Sequence, residues 1–322
     1  MTVKITKPAL NLREELADLR KPSGIAGEAL LRADSVQEQR DLINAGRRNL
    51  IINGDFQVWQ RGTSFTSGFT ADRWYTAAGT VTKDGLAYKH VSTNTDPYLL
   101  YKVEDIGNRF SGNDAVFSFY LKTSSGLNKL QYVTVCNVNY THDVMYQLPS
   151  EISGYTRWAC PVKITDAHTD HIRIVMELEP VNGNDSYLRQ VQLELGSVAT
   201  EFEHRSYGEE LALCQRYFLC LAGERPHGYP YLGHARAYNT TLAIGDTVFP
   251  VAMRAAPSLS SSDWSDIQLF NGSQRTVTSI VLNGVSTQGC GLNLTATGLV
   301  AGEMVGVNVS DVYGYLNFDA EL

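Results

Sequence analysis

The sequence lacks the motifs that mark common enzymes, and it has little that suits export or nucleic-acid binding. It contains no GxSxG, HExxH, P-loop or GxGxxG pattern. No apolar run approaches the length of a transmembrane helix, and the first ten residues lack the apolar segment of a signal peptide. The 27 Lys and Arg are outnumbered by 34 Asp and Glu, for a formal net charge of −7, and we identify no basic cluster beyond Arg47-Arg48. We therefore expect no membrane insertion, no Sec-dependent export and no nucleic-acid partner.

Cysteine is also scarce and shows no pairing pattern. The chain has an odd number of cysteines at irregular spacing, with no CxxC pair. They are Cys136, Cys160, Cys214, Cys220 and Cys290. Disulfides are rare in chains that fold in the cytosol, so we expect reduced, mostly buried thiols in a chain that folds there.

The sequence is rich in apolar, aromatic and glycine residues. Apolar residues make up 43% and charged residues 19% of the chain, and there are 27 Gly, 17 Tyr and 11 Phe. From residue 49 to about 205 the hydrophobicity has period two, as in 115–121 and 171–178, and turn residues separate the runs. A second β region follows residue 222. The pattern predicts a mainly β fold with two β-sandwich domains.

Residues 1–48 differ from the rest of the chain. Leu12, Leu16 and Leu19 fall on one face of a helix that Pro22 ends. A helix of about three turns is unstable alone in water, so its leucine face needs a partner. That partner is either the body of the protein or the same helix in other subunits. We interpret this segment as an attachment arm.

A helix is predicted between the two β regions, over residues 208–221. Leu211, Cys214, Phe218 and Leu221 lie near helical spacing, and glutamates occupy the first turn, where the helix dipole favours them. We interpret this segment as a connector between domains.

Carboxylates in the sequence do not suggest a glycosidase. Glu177 and Glu179 lie two residues apart on one face of a predicted strand, whereas a glycosidase needs two carboxylates across a cleft. His168, Asp170 and His171 could bind a metal, but no fourth ligand is indicated, so we predict a polar turn there. We therefore predict no catalytic residues and no enzymatic activity.

Aromatic residues are the best candidates for a binding site. The segment 225–231 is stiffened by Pro and Gly and carries a histidine and two tyrosines. Exposed rings suit sugar recognition, because their faces pack on C–H groups and their polar tips hydrogen-bond hydroxyls. The alternative is that the rings fill a sandwich edge or a subunit interface. The candidate receptor- or glycan-binding residues are His227, Tyr229, Tyr231, His234, Trp264, Tyr313 and Tyr315.

Two stretches of the sequence indicate a protein family more specifically than the overall composition does. The first is NLIINGDFQVWQRG at 49–62, followed by TADRW at 70–74, and the second is QVQLELGSVATEFEHR at 190–205. Together with FPVAMRAAP at 249–257, they resemble the domain found in many tail fibres and related virion appendages of tailed bacteriophages. The resemblance covers about residues 47–260.

Residues 49–205 also look like a jelly-roll carbohydrate-binding module. Such modules open with an N-L-x-x-N-G-x-F-type strand and close with an acidic strand, and some bind a structural calcium. Asp55 and Glu194 are the positions that match its ligands. The closing strand reads RQVQLE rather than the doubly acidic form. Without a metal, Asn49, Asn53 and Asp55 would instead be turn and edge residues. No other cofactor is implied.

The resemblance implies a non-enzymatic tail-fibre or receptor-binding protein, a homotrimer assembled in the host cytoplasm and located in the virion. Residues 1–48 would anchor it to other tail or baseplate proteins. Residues 49–207 would form the jelly roll, and 208–322 a connector helix plus a distal β domain that contacts host surface polysaccharide or another receptor. Two alternatives stay open: a purely structural collar, baseplate or head-fibre protein that binds other virion proteins, and a glycan-degrading tailspike enzyme.

Overall fold

The computed structural model describes most of the chain after residue 47. The described residues are 48–93, 97–104, 109–123, 130–136, 142–147, 154–165, 171–178, 185–222, 230–310 and 314–321. The chain divides into two compact units, Met1–Arg48 and Asn49–Leu322. The predicted arm with Leu12, Leu16 and Leu19 lies outside the described residues, so the arm and its trimer contacts stay predictions. Nowhere in the described part is there a helix both long and apolar enough to cross a membrane.

Two six-stranded antiparallel sheets form the N-terminal part of the second unit. Their strands are β1 (Ser64–Phe65), β2 (Gly68–Phe69), β3 (Tyr75–Thr76), β4 (Thr80–Asp84), β5 (Ala87–Val91), β6 (Tyr98–Glu104), β7 (Asp114–Thr123), β8 (Leu130–Cys136), β9 (His142–Gln147), β10 (Thr156–Lys163), β11 (His171–Leu178) and β12 (Asp185–Leu195). Sheet A has the order β1-β4-β5-β12-β7-β10, and sheet B has the order β2-β3-β6-β11-β8-β9.

Alternating side chains place one core between the two sheets. Phe117 and Phe119 of sheet A are fully buried in the same cluster as Val133 and Ile174 of sheet B. Because successive side chains of a strand point to opposite faces, the residues between them face away from this core. The mainly β class is confirmed, and the strands predicted around 115–121 and 171–178 are present.

The stretch NLIINGDFQVW at 49–59 is not the strand entrance that its alternation suggests. It contains a turn with Asn53 at φ 57°, whose side chain bonds the Val58 amide at 3.0 Å and the Val58 carbonyl at 2.8 Å. The Val191 amide donates to the Gly54 carbonyl at 2.8 Å, and a Cβ on Gly54 would lie 2.1 Å from the Val191 oxygen. Hydrogen bonds from polar side chains, and the close approach that Gly54 allows, therefore take the place of regular strand pairing. The segment packs against β12 as a buried turn.

The connector helix is shorter than its spacing suggests. Helix α1 spans Tyr207–Gln215, and its N-cap Ser206 forms a reciprocal capping box with Glu209. Phe218 and Leu221, predicted to continue the helix, lie in strand Phe218–Ala222 instead. That strand pairs along its whole length with the last strand of the chain, and this pairing overrides the local helical spacing.

The C-terminal part is a barrel with a small sheet. Its strands are β13 (Phe218–Ala222), β14 (Tyr231–Ala237), β15 (Leu242–Val248), β16 (Ser258–Ser261), β17 (Ile267–Phe270), β18 (Gln274–Asn283), β19 (Gly289–Ala296), β20 (Met304–Val309) and β21 (Tyr315–Asp319). Six of them close a barrel in the order β14-β15-β19-β18-β17-β20, and the others form the sheet β13-β21-β16.

The predicted second sandwich is therefore wrong. Strand alternation indicates a sheet with one buried face, but it does not specify whether the edges of the sheet stay open. Here β20 pairs with β14 on one side and β17 on the other, which closes the ring. The barrel core is separate from the sandwich core, although both belong to one compact unit. The domain boundaries at residues 48 and 207 stay predictions.

Gln60 and Arg61 join the sandwich to the small sheet. The Gln60 side chain donates to the Phe218 carbonyl at 2.8 Å and accepts from the Cys220 amide at 3.3 Å. It also donates to the carboxylate of Asp72, which is buried. Burial raises the pKa of Asp72 to about 6, although Arg61 and the Gln60 hydrogen bonds act in the opposite direction. The Arg61 guanidinium lies 3.5 Å from the centre of the Phe218 ring.

Arg73 forms the second half of this joint. It is buried at φ 75°, in the left-handed region that favours glycine, and its guanidinium pairs with Glu321 near the end of the described chain. It also donates to the Lys102 carbonyl at 2.9 Å and lies 3.5 Å from the centre of the Tyr217 ring. Burial disfavours its charged form and is the largest single effect, but the Glu321 carboxylate together with Tyr101 and Tyr217 outweighs it, so the pKa of Arg73 is raised. We call the contacts of Gln60, Arg61, Asp72, Arg73 and Glu321 the buried joint.

Most cysteine side chains lie in the interior. Cys136, Cys160, Cys214 and Cys290 are buried, and Cys220 is partly buried. Burial raises the thiol pKa of Cys160 to about 12 and also raises those of Cys214 and Cys290. These three side chains are therefore protonated and unreactive at neutral pH.

We predict that Glu321→Gln lowers the free energy of unfolding by about 3–5 kcal/mol, because it leaves a buried guanidinium without its counter-charge. The double variant Arg73→Met/Glu321→Met should recover part of the loss, since it buries no unpaired charge. Urea denaturation followed by tryptophan fluorescence measures both.

Asp114→Asn is the matched control. It removes a carboxylate that pairs with Lys163 at 2.9 Å, but both side chains are more than half exposed. The expected loss is about 1 kcal/mol or less. If Glu321→Gln destabilises the chain no more than this control does, the buried joint is not a principal source of stability.

Candidate functional site

The barrel presents two exposed aromatic rings on either side of β20. Tyr231, at the start of β14, is 54% exposed, and its ring makes an edge-to-face contact with His234 at a centroid distance of 5.1 Å. The Tyr231 ring lies over Gly306, because a Cβ on Gly306 would be 3.0 Å from Tyr231 Cε2. Phe270 of β17, 46% exposed, pairs with Gly306 from the other side. Because Gly306 has no side chain, the barrel surface between the two rings is open.

A groove of about 210 Å³ adjoins these rings. Its lining residues are Gln268, Phe270, Gln274, Asn308 and Ser310. The strand register places Asn308 between Tyr231 and Gln268, so an aromatic side chain and two amides follow one another across three strands. None of the five lining side chains carries a charge. The groove and the ring of Tyr231 are together called the barrel groove below.

Two amide oxygens of the barrel groove have no partner among the residues that the structure describes. Gln268 Oε1 and Asn308 Oδ1 are buried and form no hydrogen bond with any of these residues. A buried acceptor without a hydrogen bond is energetically costly, so such atoms accept from water or from a ligand. Amide groups can both donate to and accept from hydroxyls, and an aromatic ring offers an apolar face. The combination suits a neutral, hydroxyl-rich ligand.

The other predicted binding residues are dispersed. Trp264 lies in a single 3₁₀ turn, Trp264–Asp266, where it packs partly buried against the barrel core. Tyr315 begins β21 and pairs with Ala222 in the small sheet. Of the predicted residues, only Tyr231 and His234 are brought into contact within the described part of the chain. His227, Tyr229 and Tyr313 lie outside the described residues.

Sequence reasoning did not identify Gln268, Phe270, Gln274 and Asn308. A signal exists for Phe270, because Leu269 is buried and its two neighbours in β17 must then face outward. An apolar ring on that outer face is unusual enough to mark the position. Glutamine and asparagine give no comparable signal, since they occur on any solvent-facing strand.

Asp55 and Glu194 do not fit the calcium site that the resemblance implies. Glu194 Oε1 accepts from Gln192 Nε2 and the Thr200 amide, both at 2.8 Å, and Oε2 accepts from Thr200 Oγ1 at 2.5 Å. Asp55 lies 3.6 Å from His204, and burial raises its pKa against the opposing effect of that histidine. In the part of the chain that the structure describes, no three His, Cys, Asp or Glu side chains cluster to hold a metal.

Comparison with known proteins gives weak structural likenesses only. No family model matches the sequence, and no curated protein matches it. A CBM4 carbohydrate-binding module is 10% identical and is matched over 45% of this chain and 98% of its own, with a TM-score of 0.33. A family 29 module in complex with mannohexaose is 15% identical over 45% of this chain and 99% of its own, with a TM-score of 0.31.

The enzymatically active domain of bacteriophage CBA120 tailspike protein 4 is 13% identical over 46% of this chain but only 21% of its own, with a TM-score of 0.30. These three similar structures are two carbohydrate-binding modules and a phage tailspike domain. Likenesses at these TM-scores carry no inference about what this chain binds.

We predict that calcium does not stabilise the sandwich, because both carboxylate oxygens of Glu194 already accept protein hydrogen bonds. The melting temperature should agree within about 1 °C in excess calcium chloride and in excess EDTA, whereas a ligand that binds only the folded state would raise it. Differential scanning calorimetry of the full chain measures this. A rise of several degrees with calcium that Glu194→Gln abolishes would contradict it.

Proposed function

We propose that this chain is a non-enzymatic, glycan-binding structural protein of a tailed-bacteriophage tail fibre or related virion appendage. Residues 1–48 attach it to other tail or baseplate proteins, and the barrel contacts polysaccharide on the host surface. The chain forms a homotrimer in which Leu12, Leu16 and Leu19 pack together. The motifs at 49–62, 70–74 and 190–205 support the virion role, and the barrel groove supports the binding role.

The observation that carries the binding role is that exposed rings lie beside two amide oxygens that have no hydrogen-bond partner in the described part of the chain. Tyr231 and Phe270 offer apolar faces, and the free oxygens of Gln268 and Asn308 lie next to them. A sugar ring has apolar C–H faces and equatorial hydroxyls, so it can satisfy both kinds of surface at once. The uncharged lining favours a neutral sugar over an acidic one.

The size of the groove implies weak binding at each copy. At about 210 Å³ it is smaller than the sites of roughly 300–1,000 Å³ that enclose drug-sized ligands. One groove therefore contacts about one sugar unit and leaves the rest of a polymer in solvent. Three copies in a trimer, and many trimers on a virion, would convert weak contacts into firm attachment through their high effective concentration.

The chemistry of the lining supports binding without bond cleavage. Ser310 is the only lining residue with a nucleophilic oxygen, and its hydroxyl donates to the Asp266 carbonyl at 3.1 Å rather than to a base. A serine nucleophile needs an adjacent base to remove its proton. A glycosidase needs opposed carboxylates, and the groove lining contains none.

We predict that Tyr231→Ala and Asn308→Ala each weaken glycan binding about tenfold, because each removes a contact equivalent to about 1.4 kcal/mol. Gly306→Val should also weaken glycan binding, since the valine side chain would occupy the space between residue 306 and the Tyr231 ring. The full chain is first screened on an array of neutral gluco-, galacto-, manno- and xylo-oligosaccharides. The best probe is then titrated by calorimetry.

Val248→Ala is the control, because it truncates an apolar side chain that is 77% exposed on another strand of the same barrel. It should leave affinity unchanged. The barrel groove is not a glycan site if no neutral oligosaccharide binds, or if the control weakens binding as much as Tyr231→Ala does. Either result would favour a purely structural role in the virion. Release of reducing sugar from the bound probe would instead establish a glycan-degrading enzyme.

We predict that the full chain sediments at three times its 35.6 kDa mass. Replacing all three leucines, Leu12, Leu16 and Leu19, by serine should yield monomers, because a short helix without an apolar face buries no apolar surface when it associates. Sedimentation equilibrium measures both masses. A monomeric parent chain, or a trimer that survives the triple replacement, would contradict the proposed bundle.

A further inference from the structure

Basic and tyrosine side chains alternate across the outer face of sheet A. Lys89 of β5 pairs with Tyr187 of β12, and Tyr187 pairs with Lys122 of β7. Tyr155, which directly precedes β10, places its ring 5.7 Å from the Lys122 ammonium. These four side chains form a row perpendicular to the strands, on the face that points away from the sandwich core.

A second row runs parallel to the first. Arg189 of β12 pairs with Tyr120 of β7, and Tyr120 pairs with Arg157 of β10. Positions two apart on a strand lie roughly 6.7 Å apart and neighbouring strands about 4.8 Å apart, so the two rows form one continuous surface. We call this surface the tyrosine–cation face. It consists of Lys89, Tyr120, Lys122, Tyr155, Arg157, Tyr187 and Arg189.

The cations of this face are held against the tyrosine rings. Lys122 Nζ lies 5.0 Å from the centre of the Tyr187 ring, and Lys89 Nζ lies 5.6 Å from the same ring on the other side. The Arg189 guanidinium lies 5.1 Å from the Tyr155 centroid. Such contacts orient the charged groups and reduce the entropy that they would lose when an anion binds.

Charge on the tyrosine–cation face is only partly neutralised. Asp185 pairs with Lys89 at 3.0 Å, and the buried Asp55 interacts electrostatically with Arg189, whereas no carboxylate in the described part of the chain forms an ion pair with Lys122. The Nε of Arg189 is buried and finds no hydrogen-bond partner within the described ranges of the chain. A cluster of four cations is notable in a chain whose formal net charge is −7.

We propose that the tyrosine–cation face binds an anionic polysaccharide, a sugar polymer that carries carboxylate groups. Guanidinium and ammonium groups pair with carboxylates through charge-assisted hydrogen bonds, and the tyrosine hydroxyls and ring edges are suited to sugar hydroxyls and C–H groups. Nucleic acid fits less well. The ring faces on which bases would stack are already contacted by cations. The face shares no residue with the barrel groove, and neither proposal depends on the other.

The test measures binding of the full chain to polygalacturonate, with neutral dextran, dextran sulfate and duplex DNA as comparison probes. Lys122→Gln/Arg189→Gln should weaken polygalacturonate binding about tenfold or more and reduce its dependence on salt, because two of the interacting charges are lost. Lys122→Gln alone removes no ion pair, so it should keep the parent melting temperature and still weaken binding. Tyr231→Ala should leave polygalacturonate binding unchanged.

Lys163→Gln is the matched control, because it removes one positive charge at the far end of β10 on the same sheet. It should have little effect. The proposal is overturned if dextran binds as tightly as polygalacturonate, or if Lys163→Gln weakens binding as much as Lys122→Gln does. It is also overturned if duplex DNA outcompetes polygalacturonate at equal charge concentration, which would assign the face to nucleic acid. Tighter binding of dextran sulfate would assign the site to sulfated rather than carboxylated glycans.

Discussion

The ion pair between Arg73 and Glu321 connects the sandwich to the chain's last described residues, and it is buried on both sides. A charge taken out of water must find its partner in one geometry, because an unpaired buried charge is severely destabilising. The left-handed backbone of Arg73, its contact with the Tyr217 ring and the position of β21 therefore depend on one another. Gln60, Arg61 and Asp72 extend the same constraint to β13. The sandwich and the barrel consequently belong to one compact unit, Asn49–Leu322.

This constraint gives a structural explanation for the motifs that suggested a phage appendage. NLIINGDFQVWQRG and TADRW supply the turn against β12 and four of the five residues of the buried joint. The stretch at 190–205 supplies Gln192, which accepts from the Glu203 amide, and Arg205, which pairs with Glu210 of α1. Their roles are internal, so these motifs identify a way of joining two β structures. The proposed ligand contacts, in the barrel groove and on the tyrosine–cation face, involve residues outside these motifs.

Sequence patterns were most reliable where local physics decides the outcome. The strand at 171–178 follows from alternation, and α1 begins at Tyr207, one residue before the predicted start at 208, where a capping box at Ser206 satisfies its first amides. Sequence patterns gave wrong predictions where pairing between segments distant in sequence decides the structure. Phe218 and Leu221 match helical spacing yet pair with β21, and the alternation of the C-terminal strands is the same for an open sandwich and a closed barrel. Among the predicted site residues that the structure describes, only Tyr231 and His234 are in contact, because proximity in sequence does not specify strand register.

The sequence by itself determined the mainly β class and the start of α1. Both follow from short-range periodicity and capping, which act over a few residues. Tertiary structure alone decided that the C-terminal strands close into a barrel and that Gln268 and Asn308 lie beside Tyr231. It also assembled Lys89, Lys122, Arg157 and Arg189 into one basic face, although they are scattered over a hundred positions of an acidic chain. Antiparallel pairing brings such residues together across strands. The register of these strands depends on contacts between segments that are far apart in sequence.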